Sequence, residues 1–247
     1  MKQDMTIIWL DTVDSTQDEV HRRMETLANL SVVAARSQTS GRGQRGNRWE
    51  TRPGENLTFS LLLRPGRDGV RAIPAEDQFL LSEMATLAMH QTLAGYGIDT
   101  RIKWPNDIYA GDKKLCGMLI ENSLMGGQVV SSIIGIGLNV NQTDFNPELM
   151  NPVSLSKLTG RSYSVPEVLD RFLDAFRHCL EEDRNEIRSR FLQPLYRLEE
   201  RHAFTDCRSG EVFEGTIKGI SERGLLRVKM PDGNIREFGF KGISYII

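Results

Sequence analysis

Gln38-Thr39-Ser40-Gly41-Arg42-Gly43-Gln44-Arg45-Gly46-Asn47-Arg48-Trp49 packs three glycines and three arginines into eight consecutive residues. Glycines let a backbone turn its N–H groups toward an anion, and arginines add charge and forked donors. This is the chemistry that holds a phosphate or an acyl phosphate; the plainer reading is a solvated loop with incidental charge. Gly41-x-Gly43-x-x-Gly46 also satisfies the dinucleotide-binding pattern as written. That fingerprint, however, must open a helix and be followed by an acidic residue about 20 positions on. Here it runs into Arg48-Trp49-Glu50-Thr51-Arg52-Pro53-Gly54, which does not read as a helix, and the acidic position falls at residues 62–65, where no acid stands. No GxxxxGK[ST] loop occurs in the chain. An ATP site on this chain is therefore of neither common type.

Working outward, residues 7–10 read as a short strand, and Thr16 with Glu19 has capping-box spacing for a helix over 16–27. Residues 31–36 and 57–63 read as buried strands on either side of the loop, the second closed by Arg64-Pro65-Gly66. Phe79, Leu80, Met84, Leu87 and Met89 give residues 75–93 an apolar helical face that Gly95 stops. Strands follow at 100–104, 114–121 and 129–139. The texture then changes. Ser164 and Glu167 form a second capping box around Pro166, with Leu169, Phe172, Leu173, Phe176 and Leu180 at helical spacing, and a more charged helix is predicted over 185–198. Beyond His202 the pattern becomes short strands at 212–220, 225–230 and 235–240, with Pro231-Asp232-Gly233-Asn234 as a hairpin turn. The fold class is α/β (α+β): a mixed sheet with helices over residues 1–200, then a small all-β module over 201–247.

The bulk numbers agree. With 247 residues, 26% charged and 39% hydrophobic, the chain is long enough for one main domain and a small appendage. A net charge of −2 gives no basic excess for bulk binding to nucleic acid or an anionic membrane. No apolar run approaches the roughly 20 residues that span a bilayer, and residues 1–11 lack a signal-peptide core, so a cytoplasmic location is expected. Cys116, Cys179 and Cys207 are too scattered for a disulfide framework or a zinc site. The N-x-[ST] triplets at Asn29, Asn56 and Asn141 are then chance matches.

Lys103-Trp104-Pro105-Asn106-Asp107 stands at a strand end, and seven residues beyond Asp107 comes Lys114-Leu115-Cys116-Gly117. A turn at Gly111-Asp112 is expected to pair the two strands and bring Asp107 and Lys114 to one site. A lysine entering an apolar strand needs an anionic partner or a route to water; a ligand phosphate or carboxylate serves as well as a turn carboxylate. Gly135-Ile136-Gly137-Leu138-Asn139 has two glycines one apart, read either as close approach by another group or as a bend against a helix. Ser15-Thr16 is read either as a helix cap or as a polar ligand site at a helix N-terminus.

Together, Asp14-Ser15-Thr16, residues 38–49, residues 103–107, residues 113–117 and residues 135–139 resemble the biotin protein ligase family (biotin–[acetyl-CoA carboxylase] ligases), in the family's order and over essentially the whole chain. The combination of GRGxxGxxW, KWPND and KLCG is specific where no single piece is. The resemblance implies a mixed-sheet catalytic domain, a C-terminal SH3-like barrel, and two reactions: biotin and ATP give biotinyl-AMP and pyrophosphate, then a carrier lysine takes the biotin. It implies that Ser15, Thr16 and Gln38 hydrogen-bond the ureido ring, and that residues 41–45, including Gly41, Arg42, Gly43, Gln44 and Arg45, wrap the acyl phosphate. Lys114 bridges the carboxylate and the α-phosphate, Asn139 lies near the adenylate, and Asp107 orients the incoming lysine. Gln17, Trp49, Lys103, Asn106, Gly117 and Gly137 complete the substrate site. Lys114, Arg42, Arg45 and Asp107 are the implied catalytic set. Magnesium accompanies ATP, held by phosphates and water, with no metal-ligating residue identified. The implied partner is the biotin carboxyl carrier protein of acetyl-CoA carboxylase or a related carboxylase; the oligomeric state is left open by the sequence, an exposed edge of the main sheet offering pairing to a second copy of the chain as a homodimer. DNA is not expected, because no helix-turn-helix segment precedes the catalytic residues, and no membrane is expected, because no apolar run is long enough to span one. Gln44 departs from the family, many of whose members carry arginine there. The alternatives are a lipoate or octanoate ligase of the same superfamily and a non-catalytic biotin-binding protein.

Overall fold

Strands need partners for their backbone groups, and the computed structural model, which describes residues 5–247 except the side chain of Arg45, supplies them in two sheets. The first comprises β1 (Ile7–Val13), β2 (Val32–Gln38), β3 (Leu57–Leu63), β4 (Arg101–Lys103), β5 (Asp107–Ala110), β6 (Lys113–Met125) and β7 (Gln128–Leu138), in the order β1-β2-β3-β7-β6-β5-β4. Only β1 and β2 run parallel; every other pair is antiparallel. The second sheet, β8 (Arg201–Asp206), β9 (Val212–Ile220), β10 (Leu226–Lys229), β11 (Ile235–Phe238) and β12 (Ile243–Tyr245), is antiparallel throughout, in the order β11-β10-β9-β8-β12. The helices are α1 (Thr16–Arg22), α2 (Leu80–Ala94), α3 (Leu155–Thr159), α4 (Val165–Glu181) and α5 (Arg184–Leu192). No helix among the described residues is long and apolar enough to cross a membrane.

Strand β3 is buried at every residue because both faces of the sheet are covered. Leu57, Phe59, Leu61 and Leu63 enter the large core with α2 and α4, where Phe59 meets Phe172 edge to face at 5.2 Å. On the other face Leu62 joins Val20 of α1, Val33 and Ile133 in a small cluster. The remaining residues of that second face, Thr58 and Ser60, are polar and buried. Period-two alternation thus divides β3 into a helix-packed face and a face reserved for something else.

Several expected boundaries move, each for a physical reason. The N-cap of α1 is Ser15, not Thr16: Ser15 is extended and accepts from Asp18 N, while the Thr16 hydroxyl turns to Ser60. The helix stops at Arg22, and the following turns carry Leu27 onto the small cluster. Ser164 starts α4 by backbone conformation alone, without a side-chain cap. The helix α5 ends at Leu192, two residues before Pro194, as the residue preceding a proline disfavours helix. The released segment pairs with β4 instead, through Ile102 N to Pro194 O and Tyr196 N to Ile102 O. Most important for the site, the strands expected at 100–104 and 114–121 do not pair with each other. Asp107–Ala110, a four-residue strand bounded by proline and glycine, lies between them.

The second sheet meets the first at a turn. Trp104 donates from Nε1 to Gly224 O at 2.9 Å, and Arg188 reaches from Glu83 on α2 to Glu222 O. Gly224 has φ +78°, and a Cβ there would overlap the Phe79 ring. Gly224→Ala therefore combines left-handed strain with overpacking, and we expect it to lower unfolding stability by about 2–4 kcal/mol, measured by urea denaturation; a loss under 0.5 kcal/mol would show that the seam is soft.

Candidate active site

A single row of strand register forms the floor of a cleft on the face opposite the large core. Thr58 pairs with Gly137, Gly137 with Gly117, Gly117 with Asp107, and Asp107 with Lys103. Directly paired residues project to the same face. The neighbouring row is Ser60, Gly135 and Leu119, and the next brings Glu121 opposite Ile133. Three of the four central positions in these two rows are glycine. The groups that approach them closely are the indole of Trp49 at Gly137 and Gly117 and the carboxamide of Gln17 at Gly135. The resulting cleft has a volume of about 620 Å³, within the range of small-molecule sites.

Lys114 enters β6 at the edge of this floor. Its ammonium reaches Asp107 Oδ1 at 2.8 Å and lies 3.0 Å from where a Gly117 Cβ would stand. The intervening β5 sets that geometry, with a register shift between Ile108 and Tyr109 bringing Lys114 opposite Tyr109. Both members keep some exposure, so the pair is open to a ligand. Burial pushes the neighbouring Cys116 thiol far up, which leaves it inert as a nucleophile. Lys103 sits over the rings of Tyr109 and Tyr245, at 5.0 and 4.7 Å. Asn106 is buried and donates to Met118 O, and buried Asn139 donates to Val153 O, tying the segment after β7 to the floor.

At the other end, Gln38 Oε1 accepts from Thr16 N at 2.7 Å, Thr16 Oγ1 meets Ser60 Oγ at 2.9 Å, and Ser60 Oγ donates to Gln17 Oε1 at 3.1 Å. Gln17 Nε2 donates to Glu121 Oε2 and Ile133 O. Both ends of the Gln17 carboxamide are thus engaged by protein. The glycine-arginine loop closes over this region by Gly43 N to Asn47 O and Trp49 N to Gly41 O. Gly41 is buried below it, where a Cβ would overlap Trp49 O. Arg42 contacts Asp18 at 2.7 Å and Glu121 at 2.8 Å.

Ser15, Thr16, Gln17, Gln38, Arg42, Gly43, Gln44, Trp49, Lys103, Asn106, Asp107, Lys114, Gly117, Gly137 and Asn139 all line this one cleft. Of the remaining expected residues, Gly41 supports the loop from beneath and the Arg45 side chain lies outside the described residues. Sequence reasoning missed Ser60, Phe145, Met150, Tyr245 and Ile247, which also line it, and Glu121, which stands just beyond the lining and holds Gln17 and Arg42. Ser60 carried a signal, a lone hydroxyl in the apolar run Leu57–Leu63; Tyr245 and Ile247 carried none, because they arrive from the second sheet. Among the described residues no group of three or more His, Cys, Asp or Glu side chains could hold a metal ion.

Gly137→Ala should displace the Trp49 indole, since no left-handed backbone angle confounds the change. We expect altered tryptophan emission and ligand binding weakened by about tenfold, the effect of roughly 1.4 kcal/mol of overpacking; unchanged emission and affinity would mean that Trp49 does not rest on Gly137 in solution.

A model of the biotin/lipoate A/B protein ligase family matches residues 9–139, and a model of the biotin protein ligase C-terminal domain matches residues 204–240. The bifunctional ligase/repressor BirA of Bacillus subtilis is 33% identical over 238 residues, covering 92% of this chain and 70% of that protein. The biotin–[acetyl-CoA-carboxylase] ligase of Paracoccus denitrificans is 33% identical over 174 residues, 68% of this chain and 70% of that protein. Among solved structures, the biotin protein ligase from Aquifex aeolicus in complex with biotin and ATP superposes with a TM-score of 0.78 at 28% identity, over 97% of each chain.

Proposed function

The chain belongs to the biotin/lipoate A/B protein ligase family, and we propose that it carries biotin to a carrier lysine in two steps along the floor described above. It is an ATP-dependent biotin protein ligase. The observation that carries the residue assignment is the Lys114–Asp107 pair beside Gly117, under a loop rich in backbone N–H groups and arginine. In the first step a biotin carboxylate oxygen bonds to the α-phosphorus of ATP, and the bond to the pyrophosphate oxygen breaks. Two anions must meet, and the Lys114 ammonium offsets their repulsion and stabilises the charge that develops. Ser15, Thr16 and Gln38 orient the ring at the far end, where matched polar groups reject analogues that lack them. In the second step the neutral amine of the carrier lysine attacks the acyl carbon of biotinyl-AMP, AMP leaves, and the amine loses a proton. Asp107, on the floor beside Lys114, orients that amine.

Magnesium arrives with ATP, on phosphate and water oxygens. The acceptor is a biotin carboxyl carrier protein of acetyl-CoA carboxylase or a related carboxylase, the reaction is cytoplasmic, and the β1 edge of the main sheet offers pairing to a second copy. With Gln44 where relatives carry arginine, retention of biotinyl-AMP either falls to Arg42 or Arg45 or is weaker.

Lys114→Ala is expected to abolish biotin-dependent exchange of labelled pyrophosphate into ATP, by at least 100-fold, with lipoate inactive in the wild type. Exchange with lipoate and not biotin would move the substrate assignment to the sister activity. Arg42→Ala or Arg45→Ala should speed dissociation of biotinyl-AMP, followed by rapid filtration; slow release that neither variant alters would refute the assignment of retention to these arginines.

A further inference from the structure

Arg42 occupies a different electrostatic setting from the one its motif implies. One amino group meets Asp18 on α1 at 2.7 Å and the other meets Glu121 on β6 at 2.8 Å, so two carboxylates from separate elements face a single positive charge. A guanidinium so surrounded has little net field left for a phosphate. Glu121 is also a junction. Its Oε2 accepts from Gln17 Nε2 at 2.9 Å and contacts His21 Nε2 at 3.0 Å, while its Oε1 takes Arg42. Gln17 continues the chain of hydrogen bonds through Ser60 to Thr16, whose N–H is held by Gln38. One carboxylate therefore joins the residues assigned to the ureido ring with the loop that covers them. Burial works to raise the Glu121 carboxyl, yet hydrogen bonds from His21 and Gln17 and the charge of Arg42 hold it below the usual range. Burial works to lower Arg42, and Glu121 and Asp18 raise it.

We propose that Asp18 and Glu121 are positioning residues that hold Arg42 as a strut of the glycine-arginine loop, so that Arg42 serves biotin binding by fixing the loop over the Thr16–Gln17 end of the cleft and not by contact with phosphate. Asp18, on the first turn of α1, supplies the anchor on the helix, and Glu121, in the row of β6 beyond Leu119, the anchor on the sheet. The strut ties the loop to the sheet at the residue where the loop begins its turn, since Arg42 bridges to Arg48 across that turn. The biotin arm of the proposal rests on the ligase reading; the loop arm does not.

The test joins limited trypsin digestion of the free protein, read by mass spectrometry as cleavage after Arg45 and Arg48, with biotin affinity by calorimetry and the KM for ATP in pyrophosphate exchange. The double variant Asp18→Asn/Glu121→Gln is expected to be cleaved faster and to bind biotin about three- to tenfold more weakly, as two half-exposed ion pairs allow, with the KM for ATP unchanged. The reversed pair Asp18→Arg/Arg42→Asp, built on Glu121→Gln so that no carboxylate opposes the new one, should regain protection and biotin affinity relative to the double variant, because the strut needs opposite charges and not a particular arrangement of them. Unchanged cleavage and biotin affinity in the double variant would overturn the proposal. So would a reversed pair whose defect is a raised KM for ATP with biotin affinity intact, which would place Arg42 on phosphate. A wild-type protein that binds no biotin would fail the ligase reading, while cleavage would still report on the strut.

Discussion

The cleft exists because glycine occupies the positions where two register rows of the main sheet would otherwise project side chains. A sheet face packed by helices has no room for a ligand, and a face exposed to water would not hold an indole. Here β6 and β7 present Gly117, Gly135 and Gly137 on one face and Met118, Ile134 and Ile136 on the other. The same strands thus serve as core wall and cleft floor, divided by the two-residue period alone. Shifting β7 by one residue would put isoleucine into the cleft and glycine into the core, and shifting β6 would put Cys116 or Met118 where Gly117 stands. The register is pinned by β3, whose Phe59 and Leu61 must stay in the core while Thr58 and Ser60 face the cleft.

Much of this was legible in the chain, for reasons that differ by segment. The glycine-arginine stretch announced an anion site because neither helix nor strand tolerates that composition. The Gly135–Gly137 spacing announced close approach because a strand rarely forgoes two side chains on one face; what could not be read was that Gln17 and Trp49 are the approaching groups. Asp107 and Lys114 were expected together and are, but through β5, a strand too short and too closely punctuated for periodicity to reveal. The capping serine of α1 was misplaced by one residue because Ser15 and Thr16 are equivalent by spacing, and only the demand of Ser60 for a partner separates them. Tyr245 and Glu121 were invisible since their roles depend on contacts remote in the sequence, Gln17 for Glu121 and Lys103 for Tyr245.

The charges of the cleft are held in three different ways. Lys114 is paired with one carboxylate, Lys103 rests on aromatic faces, and Arg42 is held between two carboxylates. An incoming anion competes with Asp107 for Lys114, and a one-to-one pair that keeps some exposure to solvent is open to that exchange. It would have to displace two partners to capture Arg42. The difference orders Lys114 ahead of Arg42 in availability, and places the more available charge beside the floor row, where the carboxylate and phosphate must meet.

The second sheet takes part in this arrangement through its seam. Trp104 donates to Gly224 O from the residue next to Lys103, and Tyr245 closes over the Lys103 ammonium from β12. Between Trp104 and Asp107 there are only two residues, and Asn106 is itself fixed by Met118 O. The strand end that carries the proposed acceptor-orienting carboxylate is therefore clamped from both sheets. A module that only decorated the catalytic domain would need neither a glycine at φ +78° against Phe79 nor a buried carboxylate, Glu83, to hold the arginine that reaches it. Burying Glu83 without Arg188 would leave an uncompensated charge costing several kcal/mol, so the seam's arginine is required by the core as well as by the turn it grips. Docking of the second sheet and integrity of the α2–α5 interface are in this way a single constraint.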